Sequence, residues 1–157
     1  MQQNQIPKYA TKPCYGYAEL VNADGAAALY TDSVAYKTIY NCPAAPNGGG
    51  GALVDQLKIS SNDSVARVAV IAIKESSVIK HLGAINIPIN SGTNGTVVAV
   101  DALDNSVIKG LPLNSQGKRY IRLLPGQSLV IGTLVAVTAS TRVTADCSGM
   151  EFLDNPA

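Results

Sequence analysis

Charge is scarce in this chain. Asp, Glu, Lys and Arg make up 15% of its 157 residues, against about 25% in an ordinary globular domain. The 12 basic and 11 acidic side chains nearly cancel, to a net +1, so nothing offers the electrostatic footprint that nucleic acid or an anionic membrane requires. Trp is absent, and Phe and His occur once each. That removes most of the material for aromatic ligand platforms and for imidazole catalysis. Long apolar runs are missing as well: the nearly uncharged stretches at residues 65–73 and 129–138 fall well short of the roughly 20 residues of a membrane helix. The expectation is no enzyme, no cofactor, no metal, no nucleic-acid partner and no membrane partner.

The opening residues, Met1 to Pro7, lack the basic start and apolar run of a secretory signal, so the chain is expected to be made in a cytosol. Cys14, Cys42 and Cys147 are odd in number, widely spaced and without a CxxC pair. In a reducing compartment they read as small buried hydrophobes rather than as ligands or nucleophiles, and nothing supports a Cys14–Cys42 bridge. Asn62-Asp63-Ser64 and Asn94-Gly95-Thr96 match the glycosylation pattern, but on this reading they mark only polar turns.

What is plentiful is strand and turn chemistry. Short runs rich in Val, Ile, Thr and Tyr predict strands near 14–21, 26–31, 36–41, 52–60, 65–75, 78–82, 84–90, 96–103, 119–124, 128–138 and 143–148. No window of helical length carries an apolar stripe at helical spacing, so helix should be nearly absent. Ile85, Ile87 and Ile89 share one face opposite Asn86, Pro88 and Asn90, which marks a half-exposed edge strand. Residues 65–73 and 129–137 are apolar on both faces and read as central strands. Their second covering layer is expected from another subunit, since the outer face of a two-sheet sandwich is normally polar. The strands are punctuated by Ala23-Asp24-Gly25, Asn47 to Gly51, Ser91-Gly92, Asn94-Gly95, residues 114–117 and Pro125-Gly126. At this length one domain is expected, able to bury roughly 70% of its unfolded surface without a staple. The pattern is that of a jelly-roll-like antiparallel β-sandwich over residues 14–157, preceded by an extended polar arm over residues 1–13.

Few residues offer chemistry. Gly48 to Gly51 precede a strand rather than the Gly-Lys-Ser/Thr helix of a phosphate loop. His81 has no nucleophile elbow to serve. Asp101, Asp104 and Asn105 cluster oxygen ligands but match no EF-hand, and Asp24, Asp32 and Asp63 sit where Asx turns explain them. Lys118, Arg119 and Arg122 form the one basic cluster, with a single aromatic nearby, and suit a solvated edge or a salt bridge. Six of the seven Tyr lie in the first 40 residues, and Tyr15 and Tyr17 share a strand face on which they could meet a partner or a sugar. In the arm, Ile6 and Tyr9 are apolar anchors and Lys8 and Lys12 are charge contacts.

Residues 50–60 (Gly-Gly-Ala-Leu-Val-Asp-Gln-Leu-Lys-Ile-Ser), 123–130 (Leu-Leu-Pro-Gly-Gln-Ser-Leu-Val) and 143–152 (Val-Thr-Ala-Asp-Cys-Ser-Gly-Met-Glu-Phe) together resemble the framework of small jelly-roll decoration, or cement, proteins of tailed-bacteriophage capsids. In that family a Gly-rich turn leads into an alternating strand, a later strand follows a Leu-Pro-x-Gly-x-Ser-Leu turn, and the chain closes after a Gly-acidic-aromatic segment. The resemblance implies a virion protein on the outer capsid surface that forms a homodimer or homotrimer and bridges neighbouring copies of the major capsid protein. It carries over no catalytic residue. On that reading the capsid contacts are Ile6, Lys8, Tyr9, Lys12, Tyr15 and Tyr17. The alternative is a head-fibre or tail module that binds a cell-surface glycan.

Overall fold

The computed structural model describes residues 11–44, 50–104 and 106–152. Among the described residues, nine strands account for the regular structure and the helical content is one 3₁₀ turn, Asn22–Asp24. The strands are β1 (Thr11–Val21), β2 (Lys37–Asn41), β3 (Ala52–Ser61), β4 (Arg67–Glu75), β5 (Val78–Ile87), β6 (Val100–Asp101), β7 (Ile121–Leu123), β8 (Ser128–Thr133) and β9 (Arg142–Phe152). One sheet runs β1-β9-β3-β6, with β7 also paired to β3; the other runs β2-β8-β4-β5, and every pairing is antiparallel. Consecutive strands β1 and β2, like β3 and β4, lie in opposite sheets, which is the strand order of a jelly roll.

Alternation explains the core. In β3, Val54, Leu57 and Ile59 point inward; in β9, Val143, Ala145 and Cys147 do; and Ile71, Leu129 and Ile131 meet them from the second sheet in one cluster. The bulge between Val54 and Gln56 shifts the inward row from even to odd positions within β3. Sequence reading anticipated that β4 and β8 are central and that the strand read at 84–90 is an edge, and both hold, although β5 stops at Ile87 and leaves Pro88 and the exposed Ile89 beyond it.

Several boundaries differ from expectation. The two strands expected at 78–82 and 84–90 are one strand, bent by a bulge opposite Ile71 and Ala72. The strand expected at 96–103 shrinks to Val100–Asp101, because residues 88–99 satisfy their backbone in turns: Ser61 N–H donates to Ser91 O, and Asn94 Oδ1 accepts from Thr96 and Val97 N–H. The segment 26–31 forms no strand. β1 begins at Thr11, so residues 11–13 belong to the sheet rather than to an arm, while residues 1–10 lie outside the described part.

The second apolar face of β4 and β8 is covered from within the chain, which corrects the expectation of another subunit there. Residues 25–36 cross the outer surface of the four-stranded sheet and set Ala27, Ala35 and Tyr36 against Val70, Ala72, Ile79 and Val130. This strap is tied by Ala27 N–H donating to Thr133 O (2.8 Å), by Tyr36 Oη donating to Ala28 O (2.9 Å) and by the Lys74–Asp32 ion pair (2.8 Å). Small residues make the close approach possible. A Cβ on Gly132 would lie 2.5 Å from Ala27 Cβ, closer than any real contact.

Candidate functional site

The outer face of the five-stranded sheet carries the one broad aromatic and polar surface that the sequence singled out. β1 pairs with β9 in unbroken register, and β9 pairs with β3, so outward residues line up in rows. Tyr15 stands beside Ser148 and Gln56, and Tyr17 beside Asp146 and Lys58. Together with Gly16 and Cys147 they line an open groove of about 610 Å³, within the size range of small-ligand sites. Tyr15 is 77% and Tyr17 55% exposed. Neither ring is spent on the core.

Charges on this face are compensated locally. Tyr17 Oη donates to Glu19 (3.1 Å), Glu19 pairs with Arg142 (3.1 Å), Lys58 lies 3.7 Å from Asp146, and Ser148 Oγ donates to Gln56 Oε1 (3.2 Å). Partial desolvation and the Glu19 carboxylate both hold the Tyr17 phenol above its usual range. The surface therefore offers apolar rings and hydrogen-bonding groups with little net field.

Below the end of this face lies a buried polar group. Glu151 accepts a hydrogen bond from Tyr40 Oη (2.8 Å), and Lys12 Nζ lies 3.3 Å from its other oxygen. Burial first, and then the neighbouring carboxylate, push the Tyr40 phenol far above its ordinary range. Lys12, expected as a free charge of the arm, is instead a β1 residue engaged with Glu151. Ile6, Lys8 and Tyr9 lie outside the described residues. All three cysteines are buried and unpaired, as read from the sequence. Burial raises each thiol, Cys147 to about 12, so none is a thiolate near neutral pH.

The other candidates are absorbed by structure. Asp101 Oδ1 accepts from Leu103 N–H and Asp104 Oδ1 from Ser106, so both act as turn caps; Asn105 is outside the described residues. Asp24 accepts from Val21 N–H and pairs with Lys37. Arg119 donates to Leu111 O, and Arg122 donates to Gly50 O with its guanidinium 4.5 Å from the centre of the Phe152 ring. The basic cluster is thus consumed within the chain except at Lys118, which is exposed. His81 packs edge-on against Tyr30, with ring centres 5.7 Å apart.

Sequence reading found Tyr15 and Tyr17 but missed Gln56, Lys58, Asp146 and Ser148. Alternation alone puts those four outward; only the β1-β9-β3 register sets them beside the tyrosines. No helix among the described residues is long and apolar enough to cross a membrane. No family model matches the chain, and neither does any curated protein.

Proposed function

We propose that this protein is a non-enzymatic virion structural protein that binds the outer surface of a capsid, bridges neighbouring major capsid protein subunits and stabilises the DNA-filled head. The observation that supports this most is a two-sheet body displaying two exposed tyrosines on a face of low net charge, on the strand that directly follows residues 1–10. Exposed Tyr surrounded by satisfied polar groups suits a protein contact, because the ring buries apolar area at small entropic cost while its hydroxyl stays bonded. A shell presents many copies of one site, so modest contacts are multiplied by avidity.

The test is occupancy on expanded capsids. Tyr15→Ala with Tyr17→Ala, and separately removal of residues 1–10, should each leave a folded protein that binds capsids at least about 30-fold more weakly, the effect of losing a central aromatic contact. Full occupancy by both variants overturns the reading.

A glycan is the second reading, supported by the hydroxyl and amide groups of Ser148 and Gln56 beside the tyrosines. Retention on host envelopes in the absence of capsids, lost in the double tyrosine variant, would favour it.

A further inference from the structure

β1 is the outermost strand of its sheet. In an antiparallel pair, alternate residues bond to the neighbour while the others direct their N–H and C=O away from it. Two observations identify the outward set. Val21 N–H donates to Asp24 Oδ2 (2.9 Å) instead of to β9, and Pro13, of the same parity, has no N–H to donate, as expected on the open side of an edge strand. The outward row is therefore odd-numbered and includes Tyr15, Tyr17 and Glu19. Among the described residues no turn, loop or side-chain group hydrogen-bonds to the main chain of Tyr15 or Tyr17.

Open edges are usually blunted by shortness, charge, proline or a bulge. Edge strand β2 has five residues and β6 has two, and β5 is bulged against β4 and carries Lys80. β1 has 11 residues in unbroken register with β9, and between Cys14 and Ala18 it holds no charge, proline or bulge.

We infer that this edge pairs with β1 of a second copy of the chain, antiparallel about a twofold axis at Gly16. Gly16 is the midpoint of Thr11–Val21, so this register alone overlaps the full strand. It sets Tyr15 opposite Tyr17 of the second copy as a hydrogen-bonded pair, and Tyr17 opposite its Tyr15. Aromatic cross-strand pairs are favourable. No like charges meet: Lys12 faces Leu20 and Pro13 faces Glu19 of the other copy. The two sheets become one continuous sheet, and its outer face gathers four tyrosines. The use of that widened face rests on the capsid reading; the dimer does not.

Sedimentation of the full chain tests it. The wild type is expected to be a dimer in reversible equilibrium with monomer. Tyr17→Pro removes an outward N–H without touching the β9 ladder, and by symmetry deletes two bonds, so it should raise the dimer dissociation constant at least about 30-fold. Tyr17→Val keeps the N–H and should dimerise measurably. Should the proline variant fail to fold, oxidation of the double variant Tyr15→Cys with Tyr17→Cys reads the register directly. Facing Cα atoms about 5.5 Å apart permit a disulfide, so this variant should cross-link into a dimer while Tyr15→Cys alone should not. A monomer at all concentrations, a trimer, or cross-linking by Tyr15→Cys alone overturns the inference. An intact dimer that does not bind capsids would overturn the proposed function and leave this inference standing.

Discussion

Arg67 Nε donates to Asp63 Oδ2 at 2.7 Å, at a site where Asp63 has no exposed surface. The same carboxylate accepts from Val65 N–H, Thr138 N–H and Thr138 Oγ1. One side chain thereby fastens the β3–β4 connection to the segment that follows β8, 75 residues away. Burial by itself would raise the Asp63 pKa; the Arg67 guanidinium and the Thr138 and Val65 donors outweigh it and hold the group far below the usual carboxylate range.

Asp63 therefore makes stability depend on pH. Its folded pKa lies below the unfolded value of about 3.9, so its contribution is complete above about pH 4 and is lost as pH falls below that toward the folded value. Asp63→Ala should cost about 3–5 kcal/mol at pH 7, since it strands Arg67 in a buried site. In urea titrations the gap between wild type and variant should narrow steadily from about pH 4 to lower pH. A constant gap would refute the assignment.

The strap over the four-stranded sheet should be sensitive to one methyl group. Gly132→Ala is expected to destabilise by about 1–3 kcal/mol through overpacking against Ala27. Ala27→Gly in the same chain should recover part of that loss, a coupling that a double-mutant cycle measures. Additive losses would mean that the two residues do not meet.

The Tyr40–Glu151 bond should be visible as a single-oxygen effect. Tyr40→Phe keeps the ring and removes the donor to Glu151 Oε2, leaving a buried carboxylate oxygen short of a partner at a cost of about 1–3 kcal/mol. Glu151→Gln introduced together with Tyr40→Phe should cost less than Glu151→Gln in the wild type. Equal costs in both backgrounds would separate the two residues.

Thiol chemistry offers a fourth check. With Cys147 raised to about 12 and all three cysteines buried, iodoacetamide at neutral pH should label the native protein at least about 1,000-fold more slowly than a free cysteine. In denaturant all three should react. Rapid labelling of the native state would contradict the burial.

The fold was legible wherever it depends on local pattern. Ile85 and Ile87 alternate with polar neighbours and end at Pro88, and the strand is an edge. Residues 65–73 and 129–137 lack a polar face, and the strands there, β4 and β8, are central, although β8 stops at Thr133 and Val135 beyond it is exposed. The same pattern misled when asked what covers them: the Ala-rich segment 26–31 looked like another strand, and nothing in it announces that it folds back over Val70 and Val130. Of the candidate surface, Tyr15 and Tyr17 were readable from their i, i+2 spacing. Their neighbours on β3 and β9 were not, because only the pairing of β1 with β9 and of β9 with β3 sets Gln56, Lys58, Asp146 and Ser148 beside them.

Asp63 draws the line most clearly. Its place in a turn follows from local chemistry, and Val65 N–H does bond to it; its burial and depressed pKa depend on Thr138, which no nearby residue encodes. The sequence alone determined an all-β chain with little helix, its turns and the apolar face of each strand, since periodicity and turn preference act over a few residues. The tertiary structure alone decided which strands are neighbours, that the chain covers its own outer face, and which side chains surround Tyr15 and Tyr17, because those depend on contacts between segments far apart along the chain.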